Sequence, residues 1–525
     1  MARARDIEDV LKRDDFRGGT PCPLDDQMAF EIGRATVETL LARQAGGDSR
    51  VCRVVVGRDA RLTSPTLSAA LIAGLYAAGT EARRVEVSDV GRCSTEMVYF
   101  AVGADASVSG GVMVTASHNP KDDNGFKIVK HGAEIANGND LSDIADGVRN
   151  ALTLHATQGR SWQTPPKPAC RSLDVAADYA AKVIEVSGIN KDRNASLRIV
   201  VEAGSGVGGE VFRKIARELP FLQVVYSHAR PDGNYHVCLP NPLDPAYMRL
   251  LQDRVYDEQA DLGVAFDGDA DRAAIVDAHG WALSSSEIIA LLVGRMVKQE
   301  RRTANLEIMY NLSCSRLVPH QIRAHGVAPL MTPVGHGQIK RELPHHPRCL
   351  LAGEHSGHFF FPRFFRADSG MIAALMIIEE VMSRKENQEP DLHDTIAGWR
   401  EKYFPFDETN FKMVGREGAS RDELDRLRDD AVARVRQFGQ SIGGTEVAQF
   451  DAPAVPIEPP IVKVEFTRDD HEGWFSIRPS GNEPLLRLAG EIVLNDSAIG
   501  LADGNRLRDE LFRTLVDTIG ANFRR

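Results

Sequence analysis

Three carboxylates within five residues, Asp267, Asp269 and Asp271, follow directly on the apolar run Leu262-Gly263-Val264-Ala265-Phe266. A run of that length and character predicts a short buried strand, with the carboxylates gathered on one side of the tight turn after it. Charges so close repel unless a cation joins them, and oxygen-only ligands at this density favour a hard divalent ion such as Mg²⁺. The end of a strand is also where open α/β sheets place their ligands. A calcium-binding loop starts with the same D-x-D-x-D spacing but needs Gly at its sixth position and Glu at its twelfth. Arg272 and Ala278 stand there instead, which argues against that loop.

A second apolar run, Gly111-Val112-Met113-Val114, leads into Thr115-Ala116-Ser117-His118-Asn119-Pro120 and then Asn124-Gly125-Phe126-Lys127. Ser117 is therefore expected at the C-terminal tip of a strand. A serine hydrolase presents its nucleophile in a G-x-S-x-G elbow, and no glycine flanks Ser117 in that way. If the serine instead carried a phosphoryl group, its dianion would need the cation held by Asp267, Asp269 and Asp271. Arg272 and Lys127 would then offset the remaining charge.

Around these two turns the chain alternates strand and helix patterns. Val51–Val56 reads as a strand and Gly57-Arg58-Asp59 as a turn. A helix follows with Ser64 as N-cap and Pro65 at its first position, running through Leu67, Leu71, Ile72 and Leu75 to a stop at Gly79. Similar units recur at Leu197–Val201 and Val264–Phe266, and such alternation predicts parallel βαβ units. Pro-containing or polar linkers are read at 163–168 and 385–390. From about residue 404 helical patterns rich in Arg and Asp precede strands near 461–464 and 474–477, which suits an α+β domain. At 525 residues the chain has room for four domains, read as 1–165, 166–278, 279–403 and 404–525.

Composition narrows the class of partner. With 63 basic against 74 acidic residues the formal net charge is −11, so nucleic acid is not expected as a partner. The seven cysteines are scattered without a C-x-x-C pair, which suits a reducing compartment. The first residues lack the apolar segment of a signal peptide and no run of 18 apolar residues occurs. A cytoplasmic protein without membrane contact is expected.

Read together, the TASHNP run at 115–120, NGFK at 124–127 and DGDADR at 267–272 resemble the α-D-phosphohexomutases. Gly353-Glu354-His355-Ser356-Gly357-His358 is similar to that family's sugar-binding loop. Arg478-Pro479-Ser480-Gly481-Asn482-Glu483-Pro484 is similar to its phosphate-binding loop. The matches keep the family's order from about residue 12 to about residue 490. The resemblance implies three related α/β domains with mixed or parallel sheets and a C-terminal α+β domain, arranged around a central cleft. It implies that Ser117 is stored as phosphoserine, whose phosphate joins Asp267, Asp269 and Asp271 in holding Mg²⁺, with Arg272 beside it. Glu354 would accept from sugar hydroxyls with Ser356 and His358 nearby, while Arg478, Ser480, Gly481 and Asn482 would clamp a phosphate. Arg17 would face phosphate as well. In the segment 332–340 His336 and Lys340 would face the substrate.

The implied reaction is a reversible phosphoryl shift between C6 and C1 of a hexose phosphate. It passes through a hexose 1,6-bisphosphate, which also serves as activator. Lys127 and then His336 are the candidate general bases; His118 would fix the serine loop or contact the phosphate. His355 and the run 366–371 look closest to the phosphomannomutases. Dual action on mannose and glucose phosphates is the alternative, and a silent sugar-phosphate binder the reading from another class. Three positions depart from the family's pattern: Asn482 for a common Thr, Pro333 for a frequent basic residue, and Ser313 for a Lys.

Overall fold

The computed structural model describes residues 6–41, 50–158, 162–163, 165–300, 305–413, 421–447, 461–468, 470–479, 485–495, 500–520 and 523–524. These divide into two compact units, and the chain passes between them more than once. The first comprises Met1–Ser284, Leu343–His345 and Ser356–Glu389; the second comprises Ser285–Glu342, His346–His355 and Pro390–Arg525.

Two sheets build most of the first unit. One contains β1 (Phe16–Gly19), β2 (Val51–Arg58), β3 (Arg84–Arg92), β4 (Gly110–Val114), β5 (Asp123–Lys130) and β6 (Arg171–Ser172), in the order β1-β5-β4-β2-β3-β6. β2 runs parallel to β3 and β4, while β5 returns antiparallel to β4, so the sheet is mixed. All five residues of β4 are buried, as expected of a strand covered on both faces. β6 pairs with β3, so this sheet continues past residue 165, where the linker composition suggested a boundary. The helix after β2 spans Ser64–Ala77 with Thr63, not Ser64, at the cap position. Ser64 Oγ is engaged elsewhere, donating to the buried Asp59 carboxylate at 2.5 Å and accepting from Asn124 Nδ2 at 2.9 Å.

The second sheet has β7 (Leu197–Glu202), β8 (Leu222–Ser227), β9 (Leu262–Phe266) and β10 (Ala273–Asp277), in the order β10-β9-β7-β8. β7 is parallel to β8 and β9, and β10 folds back antiparallel on β9. The six residues 267–272 are thus the turn of a hairpin whose two strands are wholly buried. Such a turn is held from both sides.

In the second unit β11 (Glu307–Asn311) runs parallel to β12 (Ala328–Thr332) and β13 (Cys349–Gly353). The short hairpin β14 (Phe359–Phe361) and β15 (Ala367–Asp368), with the helix Gly370–Asn387 after it, belongs to the first unit. The second unit also contains an antiparallel sheet of β16 (Tyr403–Met413), β17 (Thr445–Glu446), β18 (Val462–Thr467), β19 (His471–Pro479), β20 (Leu485–Leu494) and β21 (Phe523–Arg524). Its order is β17-β18-β19-β20-β16-β21, and the helices Arg421–Ser441 and Leu501–Ile519 supply Val435, Leu511 and Leu515 to its core. β16 is bulged against β20: Phe406 pairs with Gly490 and Thr409 with Leu488, leaving two residues opposite one. Among the described residues, no helix is long and apolar enough to cross a membrane.

Candidate active site

The serine loop is shaped from beneath by an arginine. Arg61 has no exposed side chain, and all five of its N–H groups are used. Nε donates to Asp59 Oδ2 at 3.2 Å, Nη1 to the carbonyls of Pro120 and Asp123 at 2.6 and 2.8 Å, and Nη2 to those of Ser117 and Asn119 at 2.7 and 2.8 Å. Thr115 Oγ1 donates to Asp59 at 2.8 Å and accepts from the Ser117 backbone N–H at 2.8 Å. So held, Ser117 sits in the left-handed region with φ 53°, a conformation that costs energy for a residue bearing a Cβ.

That backbone turns the Ser117 hydroxyl toward the carboxylate turn. Oγ donates to Asp267 Oδ2 at 2.8 Å and accepts from Arg272 Nη2 at 2.7 Å. Arg272 is itself fixed, its Nε donating to Asp267 Oδ2 at 2.9 Å and its backbone N–H to Oδ1 at 3.2 Å. His118 Nδ1 lies 3.2 Å from Ser117 Oγ and also accepts from Arg272. Burial, then Arg272 and Arg17, hold His118 well below the ordinary histidine range, so the ring is neutral. Arg17 reaches the same loop, with Nη1 at 3.1 Å from Asn119 Oδ1 and 3.3 Å from the Ala116 carbonyl.

The three carboxylates present oxygens within 4.8 Å of one another, all buried. Lys127 Nζ donates to Asp269 Oδ2 at 2.7 Å and to Asp271 Oδ2, and Thr95 Oγ1 donates to Asp269 Oδ2 at 2.6 Å. Asp269 Oδ1 and Asp271 Oδ1 are buried with no hydrogen-bond partner among the described residues. Two orphaned anionic oxygens at this spacing fit a divalent cation, which takes oxygen ligands and would satisfy both. The charges are otherwise unbalanced: burial raises Asp267 to about 7 against the pull of Arg272. Burial alone would lower Lys127, but Asp269 and Asp271 hold it charged well above the usual lysine range, and these are the same carboxylates that a divalent ion would engage.

His358 lies in the same unit, beside the turn. Its backbone bridges to Arg272, and Nδ1 stands 2.9 Å from Asp368 Oδ2 and 3.9 Å from Asp271 Oδ1. Ser356 is half-buried two residues before it. The boundary between the two units falls within this motif, after His355.

Glu354, in the second unit, follows β13. Its Oε1 accepts from Asn311 Nδ2 at 3.0 Å and from the Gly335 backbone N–H at 2.8 Å. Asn311 Nδ2 also lies 3.0 Å from His355 Nδ1, and His355 Nε2 lies 3.3 Å from Glu408 Oε2. Glu408 receives Arg478 Nη2 at 2.7 Å and Arg487 Nη1 at 3.0 Å. The structure thus joins Glu354 to Arg478 through His355 of the same motif and through Asn311 and Glu408, which the motifs had not flagged. His336 opens the helix His336–Glu342, half-buried, with Lys340 buried on the same helix. Ser480, Gly481 and Asn482 lie outside the described residues, so their expected part in a phosphate clamp rests on sequence.

Known proteins can be set beside this geometry. Residues 8–153, 177–280 and 284–401 match in turn the family models for alpha/beta/alpha domains I, II and III of phosphoglucomutase/phosphomannomutase. A phosphomannomutase/phosphoglucomutase of Pseudomonas putida is 32% identical over 512 residues, covering 97% of this chain and 95% of that one. The "phosphohexose mutases" of Xanthomonas campestris are 32% identical over 490 residues, covering 91% and 94%. A crystal structure of a phosphoglucomutase/phosphomannomutase family protein from Burkholderia thailandensis superposes with a TM-score of 0.72 at 27% identity, covering 99% of both chains.

Proposed function

Because this chain belongs to the phosphoglucomutase/phosphomannomutase family, whose three domain models it matches in order, we propose that it interconverts mannose 6-phosphate and mannose 1-phosphate. It is a phosphohexomutase, an isomerase by reaction class. The observation that carries the reading is the buried Ser117 hydroxyl, held between Asp267 and Arg272 by a strained and fully tied backbone.

In this reading Ser117 carries the phosphoryl group and gives it to the free hydroxyl of a bound monophosphate. The resulting hexose 1,6-bisphosphate, also the activator, turns end for end and returns its other phosphate to Ser117. A divalent ion, Mg²⁺ by the hardness of its ligands, would be held by Asp267, Asp269 and Asp271 and would supply charge stabilisation to the transferring group. Three carboxylates face two cations, Lys127 and Arg272, so the turn with a dication bound has a positive charge suited to a phosphoserine dianion. Arg272 steadies the developing charge on the phosphoryl oxygens, and Lys127 keeps two carboxylates in place. Lys127 and then His336 stay our candidates to receive the hydroxyl's proton, Lys127 once a divalent ion draws the carboxylates away from it. Glu354, preset by Asn311 and Gly335, grips the sugar, while Arg478 with the segment Ser480 to Asn482 holds the non-reacting phosphate.

The four domains read from sequence remain part of this reading, the first extended to β6. All seven cysteines are free, which supports a reducing cytoplasm. The dual name of the Pseudomonas putida relative favours a second reading, action on glucose phosphates too, since the two sugars differ only at C2.

Ser117→Ala tests the nucleophile. It removes the phosphoryl carrier and should cut turnover by at least about a hundredfold, because covalent catalysis supplies several kcal/mol. Turnover within about tenfold of the parent enzyme would sink the assignment. A coupled assay on mannose 1-phosphate, glucose 1-phosphate and glucosamine 1-phosphate decides the sugar.

A further inference from the structure

Arg478 and Arg487 stand directly opposite each other across β19 and β20. Like charges so placed repel, and the sheet carries its own remedy. The bulge in β16 delivers Glu408 between them, one carboxylate oxygen at 2.7 Å from Arg478 and the other at 3.0 Å from Arg487. His355 Nε2 approaches the same carboxylate at 3.3 Å. Burial opposes the charge on Glu408, but His355, Arg478 and Arg487 outweigh it and hold the carboxyl well below the ordinary range. Arg478 is only 8% exposed. One N–H of the guanidinium is met by an internal anion, while Nε–H is buried without a hydrogen-bond partner among the described residues.

We propose that Glu408 is a positioning residue that stands in for the substrate's phosphate while the clamp is empty and weakens the clamp's grip once it is full. The proposal rests on the reading of Arg478 as the phosphate clamp and goes beyond it. A phosphate that engages Arg478 shares its cation with a carboxylate already in place and feels that carboxylate's repulsion. Binding is therefore tempered. A mutase gains from this, because the bisphosphate must leave the clamp, turn, and offer its other phosphate before it is lost. The carboxylate also keeps the two arginines from springing apart during the interval.

The test uses the full chain and inorganic phosphate as a competitive inhibitor of turnover. Glu408→Gln keeps the side chain's size and removes its charge. Its phosphate inhibition constant should fall about fivefold or more, with KM falling in parallel and kcat falling because release slows. Glu408→Asp retains the charge and should stay within about twofold of the parent enzyme. In Glu408→Gln combined with Arg478→Ala the gain should vanish. An inhibition constant unchanged or raised in a folded Glu408→Gln overturns the proposal, as does failure of both single variants to fold, which would make Glu408 a structural bridge. Wild-type KM and phosphate inhibition in Arg478→Ala alone would overturn the clamp itself, whatever Glu408→Gln does.

Discussion

Glu96 is a carboxyl group with no cationic partner among the described residues. It is fully buried and accepts from Tyr179 at 2.5 Å, from the Met371 backbone N–H at 3.2 Å and from Ser369 Oγ. Burial outweighs these donors and raises it from 4.5 to about 8. The folded chain thus holds this proton more tightly than the unfolded chain does. Its contribution to stability is complete below the unfolded value and is lost as pH rises through the folded one. The unfolding temperature should decline between about pH 5 and pH 9, and Glu96→Gln, which cannot ionise, should flatten that decline. Parallel slopes in the two proteins would refute the role. Nothing in the local sequence marks this residue, because its donors come from positions 83, 273 and 275 residues away.

At the scale of elements the serine loop and the carboxylate turn are packed against each other without slack. A Cβ built on Gly268 would lie 2.6 Å from the Ser117 carbonyl oxygen, the same oxygen that Arg61 fixes from the other side. Gly268→Ala should therefore displace the serine rather than unfold the sheet. Overpacking of this kind costs about 1–3 kcal/mol, so turnover should drop roughly ten- to hundredfold with far-ultraviolet circular dichroism unchanged. Full activity would show that the loop can yield. The strands flanking this junction were legible, since β4 and β9 are continuous apolar runs bounded by turn residues. Its support was not. Arg61 sits in a polar stretch that reads as solvent-facing, and its four carbonyl partners lie 56 to 62 residues on. The β16 bulge escaped for another reason: a strand read by alternation shows no register, so Glu408 could not be placed between two arginines. Lys127 was found, but spacing shows only that a lysine is near and not which carboxylates it meets.

For the whole molecule, a divalent ion that binds the folded turn and not the unfolded chain stabilises by mass action. Excess chelator should abolish turnover and lower the unfolding temperature by a few degrees, and added Mg²⁺ should restore both. Unchanged melting and activity under chelator would remove the metal from the account. Such a shift should spread beyond one sheet, because β9, β10 and the helix Gly370–Asn387 share the first compact unit although almost a hundred residues separate them. The way the chain visits its two units has a hereditary side. The six-residue motif 353–358 is itself divided between them after His355, and three residues at 343–345 return to the first unit alone. No uninterrupted stretch of gene encodes either unit, so neither can be copied, fused or exchanged as a cassette, and a premature stop anywhere before residue 389 leaves both incomplete.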